Sequence, residues 1–138
     1  MIAKFSLVNE CPKNKCIYSN KSYIALFEKV YNSQAKYIKI SNSKNNAFIP
    51  FIKRKLKNDN YEAFSCYGYG GIFGNKIRLT EGDITNLKKF LSDLDIHSLF
   101  IRHAPFLENH LLWPSSKIEA NRINYEVTLH MHNDFDLF

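Results

Sequence analysis

Lys36-Tyr37-Ile38-Lys39-Ile40-Ser41-Asn42-Ser43-Lys44-Asn45-Asn46-Ala47-Phe48-Ile49-Pro50-Phe51-Ile52-Lys53 reads as two strands around a turn. Within residues 36–40, Tyr37 and Lys39 alternate with Ile38 and Ile40, the two-residue period of a strand. Residues 41–46 contain only Ser, Asn and Lys, which favour turns because short polar side chains hydrogen-bond their own backbone. Residues 47–53 then carry Phe48, Ile49, Phe51 and Ile52. The pattern predicts a β-hairpin. Pro50 has no backbone donor, so it belongs at an edge or a bulge.

On the N-terminal side, residues 19–31 place Tyr23, Ile24, Leu26, Phe27, Val30 and Tyr31 at helical spacing. Ser19, Asn20 or Ser22 can cap that helix, and Asn32-Ser33 stops it. On the C-terminal side, residues 57–60 are a turn and residues 61–67 a third strand. The glycine-rich segment Tyr67-Gly68-Tyr69-Gly70-Gly71-Ile72-Phe73-Gly74 follows directly. Thr80 opens the clearest helix: Thr80 and Asp83 have capping-box spacing, and Ile84, Leu87, Leu91 and Leu94 share one face. Residues 97–103 read as a buried strand through Leu99, Phe100 and Ile101. Pro105 suits the first turn of a short helix over residues 106–112. Residues 122–132 alternate cleanly, with Ile123, Tyr125, Val127, Leu129 and Met131 on one face.

The order helix, hairpin, strand, glycine loop, helix, strand, short helix, strand starts antiparallel and ends with helices between strands. It predicts an α/β (α+β) fold: a mixed, largely antiparallel sheet flanked by helices. One domain over residues 1–132 is expected, with 133–138 as a tail or the start of a linker. The 138 residues and 45% hydrophobic content suit a single core.

The net charge is +6. A basic balance favours anionic partners, but the charge is dispersed, with Lys53-Arg54-Lys55 the only block, and dispersed lysine is the pattern of a solvated surface. Residues 1–8 lack the apolar core of a signal peptide. No run of about eighteen apolar residues exists, so no membrane span is expected and a cytoplasmic location is the default. Cys11, Cys16 and Cys66 make an odd set without framework spacing, and no second Cys/His pair follows for zinc. His130 and His132, with Asp134 after them, lack a third ligand. No metal site is expected.

Three segments of residues 17–129 resemble the N-terminal half of FemAB-like transferases, whose halves have the GNAT (acyl-CoA N-acyltransferase) fold. They are Ala47-Phe48-Ile49-Pro50-Phe51, Ser65-Cys66-Tyr67-Gly68-Tyr69-Gly70-Gly71 and Tyr125-Glu126-Val127-Thr128-Leu129. The glycine turn is the most specific. The resemblance implies acyl or aminoacyl transfer to an amine, often in bacterial cell-wall or surface-glycan assembly, with acyl-CoA or aminoacyl-tRNA as donor. It also implies a second GNAT-like half. The chain reaches Phe138 where that family enters its linker, so it reads as a fragment or a free-standing half. If it is a fragment, self-association as a homodimer through Met131, Phe135, Leu137 and Phe138 is expected.

Tyr67, Gly68, Tyr69, Gly70, Gly71 and His103 are the candidate substrate- or cofactor-binding residues. Ser65-x-x-Gly68-x-Gly70 has the glycine spacing of an acyl-CoA loop, but Ser holds its first position and no helix pattern follows. It reads either as a degenerate cofactor loop or as a structural turn needing positive φ at Gly70 or Gly71. No cofactor is expected to bind tightly. Tyr67 or Tyr69 could serve as general acid, or both could pack as rim residues. Glu62, Glu126, His97 and His103 are the candidate bases, and no spacing joins two of them in one site, so catalytic residues stay unassigned. Two rivals remain. One is a complete small acetyltransferase with an altered loop. The other is a basic-aromatic module for nucleic acid such as tRNA, the less favoured partner. It requires Lys36, Lys39, Lys53, Arg54 and Lys57 to share one face with exposed rings.

Overall fold

The computed structural model describes residues 2–11, 17–66, 68–103 and 108–117. Among the described residues the fold is mixed α+β, with two α-helices and a six-stranded, mostly antiparallel sheet. The hairpin is its centre. β2 (Gln34–Asn42) pairs antiparallel with β3 (Asn45–Lys55) over its whole length, from Gln34↔Lys53 to Asn42↔Asn45. The strands run further into the polar stretch than the composition predicts, leaving only Ser43 and Lys44 outside the ladder. The Asn42 carboxamide accepts the Asn45 N–H at 3.3 Å, closing the turn.

β3 is buried without interruption from Ala47 to Ile52, so both of its faces are covered. The pairing register separates them. Ile38, Ile40, Ala47, Ile49 and Phe51 point to one face, where they pack with Ile84, Leu87 and Leu91 of α2 (Glu81–Asp93). Tyr37, Phe48 and Ile52 point to the other face and pack with Ile24 of α1 (Lys21–Tyr31). The sheet is the middle of three layers, which is why the alternating apolar pattern of a one-sided strand fades in β3.

On the side of β3 away from β2, β4 (Tyr61–Phe64) pairs with residues 52–55 and the two-residue β5 (Phe73–Gly74) pairs with residues 47–48. Pro50 lies in the gap between them, a local edge inside the sheet that has no ladder partner on that side for it to fail. β1 (Lys4–Val8) extends the other end by pairing with β2. β6 (Ile96–Phe100) joins β4 in parallel after the chain crosses over through α2. The strand order is β1-β2-β3-β4-β6, with β5 on β3.

β1 and β5 correct the expected element order. Five residues interrupted by Lys4 and Ser6, and two residues of which one is a glycine, carry too little periodicity to announce strands. β6 corrects a second expectation. Only Ile96 is buried in it, and Phe100 is 67% exposed. Phe100 pairs with Phe64 on the α1 face, but α1 packs mainly on β2 and β3 and leaves Phe100 largely uncovered. The alternating strand expected at residues 122–132, its Ile123/Tyr125/Val127 face and the apolar tail lie outside the described residues.

Both helices start at predicted caps. The Asn20 side chain accepts the Ser22 N–H at 2.8 Å, and Asn32 ends α1 in the left-handed conformation. Tyr23, Ile24, Phe27 and Tyr31 face inward, whereas Leu26 and Val30 are exposed. Thr80 and Asp83 close the capping box. Asp83 also reaches out of its helix: its Oδ1 accepts the buried Ala3 N–H at 3.0 Å, tying the chain before β1 to α2.

Candidate site at the glycine turn

The glycine turn is an excursion from the sheet. β4 ends at Phe64, and the Ser65 N–H still donates to the Phe100 carbonyl at 2.9 Å, continuing the parallel ladder. The chain then loops out and returns to the same line at Gly70, whose N–H donates to the Arg102 carbonyl at 2.7 Å and which bridges to His103. The Ser65 hydroxyl fills the gap by accepting the Arg102 N–H at 3.0 Å. Ser65 therefore joins two strands, a structural task that accounts for its being buried.

Each turn glycine faces a different neighbour. A Cβ at Gly68 would lie 2.8 Å from the Tyr18 ring, one at Gly70 2.6 Å from Ser65 Cβ, and one at Gly71 2.8 Å from Asn109 Nδ2. Gly68 and Gly71 have positive φ, whereas Gly70 does not. Positive φ at Gly71 and close packing at all three positions are the signature of the structural turn. Two features tell against phosphate binding here. The Gly70 N–H is already donated, and α2 begins only at Glu81, with Glu81 and Asp83 in its first turn and Thr80 and Asp83 satisfying its cap. Carboxylates at a helix N-terminus repel the anion that the site would have to hold.

Tyr69 packs edge-on against Tyr18 with ring centroids 5.3 Å apart, and the Arg102 guanidinium stands 5.3 Å from its ring. It belongs to an aromatic row with Tyr18, Tyr23 and Phe27, the rim position expected of an amphipathic ring. Tyr67 lies outside the described residues.

His103 comes together with the turn and with two residues that the sequence pattern did not single out. Its ring lies 6.5 Å from that of His110 and 6.1 Å from that of Trp113. Asn109 is 6% exposed, and its Nδ2 and His103 Nδ1 both face Gly71. His103 Nδ1, Asn109 Nδ2 and Trp113 Nε1 are all buried without hydrogen-bond partners. Residues 108–117, which carry Asn109 and Trp113, are held at two points: the Leu79 N–H donates to the Leu112 carbonyl at 2.7 Å, and the Ser116 hydroxyl donates to Glu81. Burial, and then the neighbouring His110, lower the His103 pKa from 6.5 to about 4, so the ring is neutral at pH 7.

That depression has a stability consequence. The folded ring resists the proton that the unfolded ring accepts, so its contribution is complete above pH 6.5 and is lost as the pH falls toward about 4. Allowing for the ring's partial exposure, the loss is about 1–2 kcal/mol. Ring-proton NMR should show His103 titrating near pH 4, and a midpoint near 6.5 would contradict the burial.

His103 and Trp113 line a cavity of about 790 Å3 between α2 and β6, together with Ile84, Leu87, Leu91 and Leu99. His97 lines the same cavity from β6. Glu62 is committed to Arg54, and Glu126, His130, His132 and Asp134 lie outside the described residues. The structure thus gathers Gly68, Tyr69, Gly70, Gly71 and His103 in one place and keeps Glu62 apart from them. Burial raises the Cys11 pKa, with Tyr37 acting weakly against it, and the thiol donates to the Ser19 carbonyl. A protonated, bonded thiol is no nucleophile. Among the described residues, no three His, Cys, Asp or Glu side chains form a metal-binding group, and no helix is long and apolar enough to cross a membrane.

The basic residues divide between the faces. Lys36 and Lys53 share the α2 face with Phe51, whereas Lys39 and Arg54 share the α1 face with Phe48. Lys53 stacks on Tyr61 at 4.0 Å and Arg54 on Phe64 at 5.1 Å. Compared with protein-family models, curated proteins and solved structures, the chain finds no match.

Proposed function

We propose that this chain is a GNAT-type domain of a FemAB-like acyl or aminoacyl transferase, acting in bacterial cell-wall or surface-glycan assembly. In this reading it forms the acceptor-side groove and carries no transfer chemistry alone. The observation that carries the reading is the glycine turn. The segment that resembles the family's Tyr-Gly-Tyr-Gly-Gly piece bridges through Gly70 to His103, a residue that lines the α2–β6 cavity. The mixed, largely antiparallel sheet flanked by helices is the fold that such a domain requires.

The chemistry of the site supports a binding role. A transferase centre needs a base within hydrogen-bond reach of the amine, and donors aimed at the developing oxyanion. His103 is neutral, as a base must be, but a ring with a pKa of about 4 takes a proton poorly at pH 7. No carboxylate among the described residues hydrogen-bonds it to raise that value. A base this weak favours shaping the groove over driving transfer.

Titration calorimetry tests both parts. Acetyl-CoA is expected to give no saturable heat, because the Gly70 N–H is spent and the α2 N-terminus is acidic. A short lysine-containing cell-wall peptide is expected to bind. A low-micromolar dissociation constant for acetyl-CoA would establish a working donor loop and overturn the non-catalytic part. Absence of peptide binding would overturn the acceptor groove. A nucleic-acid module is the weaker reading, because Lys36 and Lys53 face one side of the sheet and Lys39 and Arg54 the other.

A further inference from the structure

Every second residue of a strand lies on one face, and ladder partners share that face across the sheet. Arg54 pairs with Glu62, and Phe64 pairs with Phe100. Phe64 follows Glu62 by two positions, and Arg102 follows Phe100 by two. Arg54, Phe64, Phe100 and Arg102 are thereby brought to the α1 face of the sheet. All four line one pocket of about 310 Å3, together with Tyr31 from the end of α1 and Gly68 from the glycine turn.

The rings of this pocket are unequally covered. Phe64 meets Tyr31 edge-on, with centroids 5.1 Å apart, and the Arg54 guanidinium stands 5.1 Å from its ring. Phe100 is 67% exposed. A large ring left open to solvent in a concave site is a surface on which a flat ligand can stack.

The charges are unequally matched too. No carboxylate is among the described lining residues. Glu62, the acid beside Arg54, is ion-paired with it. Arg102 is exposed and makes no ion pair among the described residues. Its guanidinium stands 5.3 Å from the Tyr69 ring, a contact that orients the group and leaves its charge unmatched. An aromatic surface beside an unpaired guanidinium is complementary to a ring that bears an anion.

We infer that this pocket binds an aromatic ring carrying a carboxylate or a phosphate. The ring stacks on Phe100 beside Phe64, and the anionic oxygens take hydrogen bonds from the Arg102 guanidinium, with Arg54 adding positive potential. The pocket lies on the α1 face, and this assignment is independent of the transferase reading.

Titration calorimetry with naphthoate, naphthyl phosphate and naphthylmethanol tests it. The three share a ring system, and the alcohol lacks the charge. At least one of the anions is expected to bind saturably and about tenfold or more tightly than the alcohol. The tighter anion identifies the source, an aromatic acid or an aromatic phosphate ester. Arg102→Gln is expected to weaken that anion about tenfold and to leave the alcohol unchanged, whereas Phe100→Ala should weaken both. Both side chains are exposed, so neither substitution should disturb the fold. No saturable heat from either anion, an alcohol that binds as well as the anions, or affinities untouched by both substitutions would overturn the assignment. None of the probes carries an amine or a thioester, so failure here leaves the transferase reading to the titrations with peptide and acetyl-CoA.

Discussion

Gly71→Ala is expected to destabilise the fold by about 3 kcal/mol, measured by chemical denaturation, with the loss arising from two causes. The first is backbone strain: φ at Gly71 is +130°, a conformation that L side chains rarely adopt. The second is space. The added methyl would lie 2.8 Å from Asn109 Nδ2, 3.0 Å from Asn109 Cβ and 3.2 Å from His103 Nδ1. Neither neighbour can easily withdraw. Asn109 belongs to the 3-10 turn Asn109–Leu112, whose last carbonyl is held by the Leu79 N–H. His103 is held by the bridge to Gly70. Gly82→Ala provides the contrast. Gly82 is inside α2, and its Cβ would meet only Thr80 Oγ1, at 3.7 Å. That substitution should stabilise by about 0.5–1 kcal/mol, the usual gain of Ala over Gly within a helix. Equal effects at the two sites would show that the turn is not built as described.

Asp83→Ala is expected to destabilise by about 2–3 kcal/mol, because it ends two jobs at once. The carboxylate caps α2 by accepting the Thr80 N–H at 2.9 Å and the Thr80 hydroxyl at 3.0 Å. The same group accepts the buried Ala3 N–H, so its loss strands a donor outside the helix. Asp83→Asn retains one acceptor oxygen and should lose less. Burial pushes the carboxyl pKa up, but the hydrogen bonds from Thr80 and Ala3 outweigh it and hold the pKa below the ordinary 3.8. The contribution is therefore present above pH 3.8 and falls away as the folded group takes its proton. The gap between Asp83→Ala and the unaltered protein should accordingly narrow in acid. A gap that persists unchanged at low pH would mean that the charge plays no part.

The hairpin, α1, α2 and β6 could be read from the sequence because each is announced locally. Alternation marks β2, Asn20 and Thr80 supply caps, and the leucine stripe of α2 has the period of its helix. β1 could not be read in the same way. It is an edge strand whose place depends on pairing with β2, a contact more than thirty positions away in sequence, such as Lys4↔Ser41. β5 is two residues recruited by β3. The exposure of Phe100 was hidden for a related reason: hydropathy reports what a residue would favour, but how far α1 reaches across the sheet is a tertiary matter.

The candidate site was legible in part. Glycine spacing marked the turn and a strand end marked His103, but their meeting needs Gly70 to return to the line of β4 beside residues 102 and 103. Asn109 and Trp113 carried no pattern, because an asparagine and a lone tryptophan near a 3-10 turn are ordinary. What distinguishes them is burial without a partner, a property of the packed structure.

The acceptor groove at the glycine turn is tested most directly by amide NMR of the chain titrated with the lysine-containing peptide. The prediction is a saturable set of shifts concentrated at Gly68, Gly70, Gly71, His103 and Asn109. Shifts gathered instead around Lys39 and Arg54 on the α1 face, or no saturable shifts at all, would contradict it.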